Sequence, residues 1–161
     1  MTLTGKHVVA SEFRSSGEQR FCAVNPATGV ALEPQFSEAT RDDVDDAACA
    51  ATDALEPYRK LSPVQRATFL EGIGEELMSL GPDLIVRAHE ETALPQPRLE
   101  GELARTVNQL KLFAQHVRQG LYLEARIDRA LPERTPNPNP DLRAMQIPLG
   151  PVAVFGASNF P

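Results

Sequence analysis

The sequence has 161 residues, 42% of them hydrophobic and 24% charged, with a net charge of −6 from 16 basic and 22 acidic side chains. That balance fits one ordinary globular domain, about two thirds of whose surface folding can remove from water, and no stretch gathers Lys or Arg as a phosphate backbone requires. Two cysteines build no disulfide framework, no apolar run nears the roughly 20 residues of a membrane span, and the N-terminus lacks the basic start and long apolar core of a signal peptide, so a reducing, cytoplasmic setting without nucleic-acid or membrane partners is expected.

Apolar and polar positions alternate over residues 7–10 and 20–24, after which Asn25-Pro26-Ala27-Thr28-Gly29 leads to Val30 and Leu32. Proline at the second turn position and glycine at the last predict a type I turn closed by a left-handed residue, and hence an antiparallel hairpin. The period then changes. Val44, Ala47, Ala48, Ala51 and Leu55 form a helical stripe, Thr40 with Asp43 reads as a capping box, and Pro57 is expected to end the helix. The acidic cluster Asp42, Asp43, Asp45 and Asp46 suits the first turns of a helix and matches no calcium loop.

Ser62 and Pro63 restart a helix with Leu70, Ile73, Leu77 and Leu80 turned inward, stopped by Gly81-Pro82. A shorter helix is expected over residues 83–92. The longest spans about 97–119, since Leu99, Leu103, Val107, Leu110, Phe113 with Ala114, and Val117 recur at three- and four-residue steps before Gly120. Its opposite face carries Arg98, Glu102, Arg105, Gln109 and His116, a polar stripe for solvent or a ligand.

Half of the 14 prolines fall between Pro132 and Pro161, and Thr135-Pro136-Asn137-Pro138-Asn139-Pro140 cannot be helical because proline lacks the donor and clashes with the preceding turn. An extended arm is predicted, flanked by strands over 121–127 and 142–147. Val152-Ala153-Val154-Phe155 is a short, wholly apolar run of the kind buried in a parallel sheet, and it breaks into Gly156-Ala157-Ser158-Asn159-Phe160-Pro161. A parallel strand needs a neighbour reached through a crossover of a dozen or more residues, so the sequence reads as the front piece of a larger protein.

The chemistry points the same way. His7, His89 and His116 are far apart in sequence and neither Cys22 nor Cys49 has a second soft ligand nearby, so no metal is expected. Both cysteines read as packing residues, and Gly72-Ile73-Gly74 lies mid-helix, the wrong setting for a dinucleotide fingerprint. The carboxyl end of a buried strand is where open α/β sheets bind ligands. There Gly156 lets a backbone approach closely, and the Asn159 amide can meet a developing oxyanion without a buried charge; equally, Asn159 can serve only the turn before Pro161.

Asn25-Pro26-Ala27-Thr28-Gly29, the Glu91-Thr92 and Glu100 region, the helix ending Leu112-Phe113-Ala114, and Pro148 through Pro161 together resemble the aldehyde dehydrogenase superfamily, in order and at similar spacing. The last segment departs from the usual proline-tryptophan-asparagine-phenylalanine-proline turn by carrying Ala157-Ser158 in place of proline-tryptophan. With residues 91–95 and 105–110 it is similar to the branch acting on 2-oxoglutarate semialdehyde (2,5-dioxopentanoate). The resemblance implies an α/β fold: residues 1–122 as the N-terminal part of the cofactor-binding domain, 123–146 as an oligomerisation arm, and 147–161 as the start of the parallel sheet. It implies aldehyde oxidation with NAD or NADP through a cysteine thioester. The cysteine, the glutamate base and most of the dinucleotide site are expected beyond Pro161, which would leave these 161 residues inactive alone.

Residue by residue, the resemblance makes Asn159 the catalytic oxyanion donor, Phe155, Gly156 and Ser158 cofactor contacts, and Phe160 a tunnel wall. Arg105 matches a tunnel-facing position that is apolar in enzymes for neutral aldehydes, where a guanidinium would take a substrate carboxylate in a fork of charge-assisted bonds. Its other reading is an exposed ion pair with Glu102. The arm implies a homodimer or homotetramer. A different class also fits: a non-catalytic binding or assembly module that kept this part of the fold.

Overall fold

Two antiparallel hairpins open the computed structural model, which describes residues 3–156. In the first, β1 (His7–Val9) pairs with β2 (Glu12–Arg14), His7 opposite Arg14. Its two-residue turn holds Ala10 and Ser11 at φ of 51° and 68°, the left-handed geometry that matches strand twist. In the second, β3 (Arg20–Val24) pairs with β4 (Ala31–Ser37) through Ala23–Leu32 and Val24–Ala31, with a register shift between Phe21 and Ala23. The predicted turn joins them: Gly29 sits at φ 73°, its N–H donates to the Asn25 carbonyl at 2.8 Å, and the Ala27 N–H donates to Asn25 Oδ1 at 2.9 Å.

Four helices follow. In α1 (Arg41–Arg59) the capping box forms as predicted, the Thr40 N–H donating to Asp43 Oδ2 at 2.9 Å and the Asp43 N–H to Thr40 Oγ1 at 3.2 Å. Pro57 does not end this helix, which continues to Arg59. The missing N–H costs one bond only, and the Lys60 N–H still closes onto the Glu56 carbonyl at 3.2 Å. Most of the expected inward stripe of α1 is also uncovered: Val44 is 60% exposed, and Ala47, Ala48 and Ala51 are exposed as well. Leu55, at the C-terminal end of the stripe, is half-buried near Gly150.

The core lies between α2 (Pro63–Ser79) and α4 (Gln96–Gln119), with α3 (Gly81–Thr92) against α4. Ser62 caps α2 with Pro63 in the first turn, and Gly120 closes α4 at φ 68°. Small residues let the helices approach: Ala67, Gly74 and Ala114 are buried, with Leu99 and Val107 filling between them. Leu70 and Leu77 are half-buried, whereas Ile73 is exposed and Phe113, expected inside, is 51% exposed while its neighbour Ala114 takes the inward position. Arg118, in the last turn of α4, ties to Glu71 midway along α2 by a bidentate contact, Nη2 lying 2.7 Å from Oε2.

Beyond α4 the chain makes one 3-10 turn (Leu121–Leu123) where a strand was expected. It then projects as β5 (Arg126–Asp128) paired antiparallel with β6 (Leu142–Ala144), extended outward by a Leu131–Asn139 bridge and inward by the Gln146 N–H to the Leu123 carbonyl at 2.8 Å. The proline-rich segment is the tip of this arm. The run Val152–Phe155 is not a strand here: it lies outside any sheet, and Val154 and Phe155 are 88% and 92% exposed. An apolar segment becomes a strand only when a neighbour pairs its N–H and C=O groups, and no described residues supply one.

Candidate functional site

Helix α4 divides cleanly by period. Leu99, Leu103, Val107, Leu110, Ala114 and Val117 face the other helices, which turns Arg105 and Gln109 outward. The Arg105 side chain is 82% exposed, with Nη1 3.9 Å from Glu102 Oε2. Glu102 is held more closely from the preceding turn, by Arg98 at 3.2 Å. Arg105 is therefore only loosely engaged by its helical neighbour. It lines a shallow concavity of about 400 Å³ with Glu102, Thr106, Gln109, Leu110 and Phe113. This cationic residue over a partly apolar wall is the described part of the expected substrate site.

The other expected residues are not gathered around it. Phe155 and Gly156 lie on the unpaired segment, exposed, and a Cβ built at Gly156 would meet nothing within 4 Å. Ser158, Asn159 and Phe160 lie outside the described residues. Open space at Gly156 leaves room for a ligand's approach, but the described residues form no closed cradle for a dinucleotide, so nothing in their geometry carries a reaction step through one. Cys22 is half-buried in β3, whereas Cys49, expected to pack, is exposed on α1. Among the described residues no three His, Cys, Asp or Glu side chains gather as a metal set, and no helix is long and apolar enough to cross a membrane.

Two features escaped sequence reasoning. The Asp43 carboxylate, 5% exposed, accepts from Ser16 Oγ at 2.8 Å as well as from Thr40, and these bonds lower its pKa from 3.8 to about 2, the Thr40 backbone N–H contributing most. The capping box was legible; the contact with Ser16, 27 residues away, was not. The second is a cavity of about 460 Å³ between the end of α1, the start of α2 and the base of the arm, where Arg66 Nε and Tyr122 Oη are buried without a hydrogen-bond partner. No local motif signals it, because its walls come from segments far apart in sequence.

A family model described as "Aldehyde dehydrogenase family" matches residues 13–161. The chain belongs to this family. Among its relatives, alpha-ketoglutaric semialdehyde dehydrogenase 2 of Azospirillum brasilense is 48% identical, the alignment covering 100% of this chain and 31% of that protein. The alpha-ketoglutaric semialdehyde dehydrogenase of Acinetobacter baylyi is 52% identical over 78% of this chain and 24% of its own length. The chain thus spans less than a third of these aldehyde dehydrogenases. The fold agrees: a crystal structure of an NAD-dependent benzaldehyde dehydrogenase from Corynebacterium glutamicum matches with a TM-score of 0.71 at 18% identity, over 83% of this chain and 28% of that one. A succinate-semialdehyde dehydrogenase from Burkholderia pseudomallei matches with a TM-score of 0.70 at 20% identity, over 82% and 26%. The mixed helices and hairpins are the N-terminal part of an aldehyde dehydrogenase fold.

Proposed function

We propose that this chain works within an NAD(P)-dependent enzyme that oxidises 2-oxoglutarate semialdehyde to 2-oxoglutarate through a cysteine thioester, and that residues 1–161 alone are inactive. The observation that carries this reading is the 48% identity, along the whole chain, to a protein named for that activity. In such an oxidation the aldehyde carbon loses a hydrogen with its electron pair, and water supplies the new oxygen. NAD(P)+, when bound, accepts that hydride.

This chain's own residues would have four tasks. The Asn159 amide donates to the aldehyde oxygen as negative charge develops on it; removing one such donor typically raises the barrier by about 2.7–4 kcal/mol. Phe155, Gly156 and Ser158 form the cofactor-side rim, and Phe160 part of the tunnel wall. Arg105 receives the carboxylate at the far end of the substrate, a role its exposed and loosely paired guanidinium suits. Residues 123–146 join subunits into a homodimer or homotetramer.

The test assays the complete protein with NAD+ and with NADP+ on 2-oxoglutarate semialdehyde and on an uncharged aldehyde of equal length, following reduced nicotinamide. A kcat/KM well above that for the neutral aldehyde is expected, together with a roughly 100- to 1,000-fold loss of kcat in Asn159→Ala. No turnover of the acidic aldehyde, or no effect of Asn159→Ala on kcat, would overturn the reading.

A further inference from the structure

Besides Arg105, the concavity is lined by three polar side chains, Glu102, Thr106 and Gln109, and the family reading leaves Gln109 unused. Gln109 stands one turn further along α4, exposed, and its amide makes no hydrogen bond among the described residues. Side chains four apart on a helix are neighbours, and each leans toward the helix N-terminus, so the Gln109 amide reaches back over the turn that carries Arg105. Phe113 continues the same row and leans over Gln109 in turn, while Leu110 adds a second apolar surface. The row therefore runs from cation to neutral donor to apolar ring.

A 2-oxo acid presents the same order. Its carboxylate comes first, the keto oxygen lies on the next carbon, and methylenes follow. We infer that Gln109 is a specificity-determining residue, its Nε2–H donating to the 2-keto oxygen of the substrate while Arg105 holds the adjacent carboxylate and Phe113 covers the methylenes. The inference rests on the functional reading above. Glu102 also lines the concavity and would repel an anion, but Arg98 lies closer to its carboxylate than Arg105 does, at 3.2 Å against 3.9 Å, which offsets that charge.

The experiment compares 2-oxoglutarate semialdehyde with 5-oxopentanoate, which has the same length and carboxylate but no keto group, in the complete wild-type, Gln109→Leu and Gln109→Asn enzymes. Gln109→Leu should raise KM for the keto acid about tenfold, at least five times more than for 5-oxopentanoate, with kcat nearly kept. Gln109→Asn, which retains the amide, should recover part of the difference. Competitive inhibition gives a second readout: Gln109→Leu should weaken 2-oxoglutarate more than glutarate. Equal shifts for both compounds in both assays would overturn the inference while leaving the functional reading intact. A wild-type enzyme that does not prefer acidic to neutral aldehydes would overturn both.

Discussion

The Asp43 carboxylate ties the first hairpin's exit to the start of α1, since it takes hydrogen bonds from Ser16 and from both the amide and hydroxyl of Thr40. These favour the charged form and put its folded-state pKa at about 2, against an ordinary 3.8. Between those values the unfolded chain binds more protons, so this contribution to stability is complete above about pH 4 and is lost as pH falls toward 2. Asp43→Asn should flatten the dependence of urea stability on pH across that window, and Thr40→Ala should cost about 1 kcal/mol at neutral pH through the lost cap. Identical pH slopes in wild type and Asp43→Asn would show that the carboxylate does not carry the effect. Arg105 allows a comparable test of function. Charge-assisted bonds are worth about 1.5–3 kcal/mol each, so Arg105→Met in the complete enzyme should raise KM for the acidic aldehyde by roughly ten- to a hundredfold and change KM for a neutral aldehyde little. An exposed pair with Glu102 worth only about 0.3 kcal/mol would instead leave the two substrates equally affected.

At the scale of elements, the small residues between α2 and α4 set how closely the helices approach. A Cβ added at Gly74 would stand 3.5 Å from Val107 Cγ1 and 3.9 Å from Leu110 Cδ1, which is ordinary contact. Gly74→Ala should therefore raise stability by about 0.5–1 kcal/mol by restricting the unfolded chain and improving helix propensity, and a higher midpoint in thermal or urea unfolding would show it. A lowered midpoint would mean that the helices pack more tightly than these distances allow. The α2–α4 pair was legible because its signals are local: Ser62 and Pro63 open one helix, Gly120 closes the other, and the apolar period between them is helical. The β1–β2 turn was harder to read, since Ala10 and Ser11 adopt positive φ without the Asn-Gly signature of such turns. Pro57 misled for the opposite reason. A strong local breaker was tolerated because it falls near an exposed helix end.

Across the whole molecule, what was hidden from the sequence is what depends on distant partners. The run Val152–Phe155 reads as a strand from its apolar character, yet pairing needs a neighbour that no described segment provides; the N-terminal part of the α1 stripe, from Val44 to Ala51, is uncovered for the same reason. Candidate site residues divide along this line. Arg105 could be placed because one helix positions it, whereas the expected turn at Asn159 lies outside the described residues. The arm is the clearest case of a part that does not stabilise itself. Its strands β5 and β6 pair only with each other, all six residues are at least partly exposed, and Ile127 and Leu142 are 63% and 52% exposed. A two-stranded ribbon is at best marginally stable in water, and its free edges are templates for another strand. If the arm joins subunits of the complete enzyme, replacing residues 129–141 with a short Asn-Gly turn removes the tip and its bridge while keeping the β5–β6 pair. The shortened enzyme should then sediment as a smaller species than wild type in analytical ultracentrifugation, and dissociate at higher protein concentration. Unchanged sedimentation, with the helical circular-dichroism signal intact, would assign subunit contact to another surface.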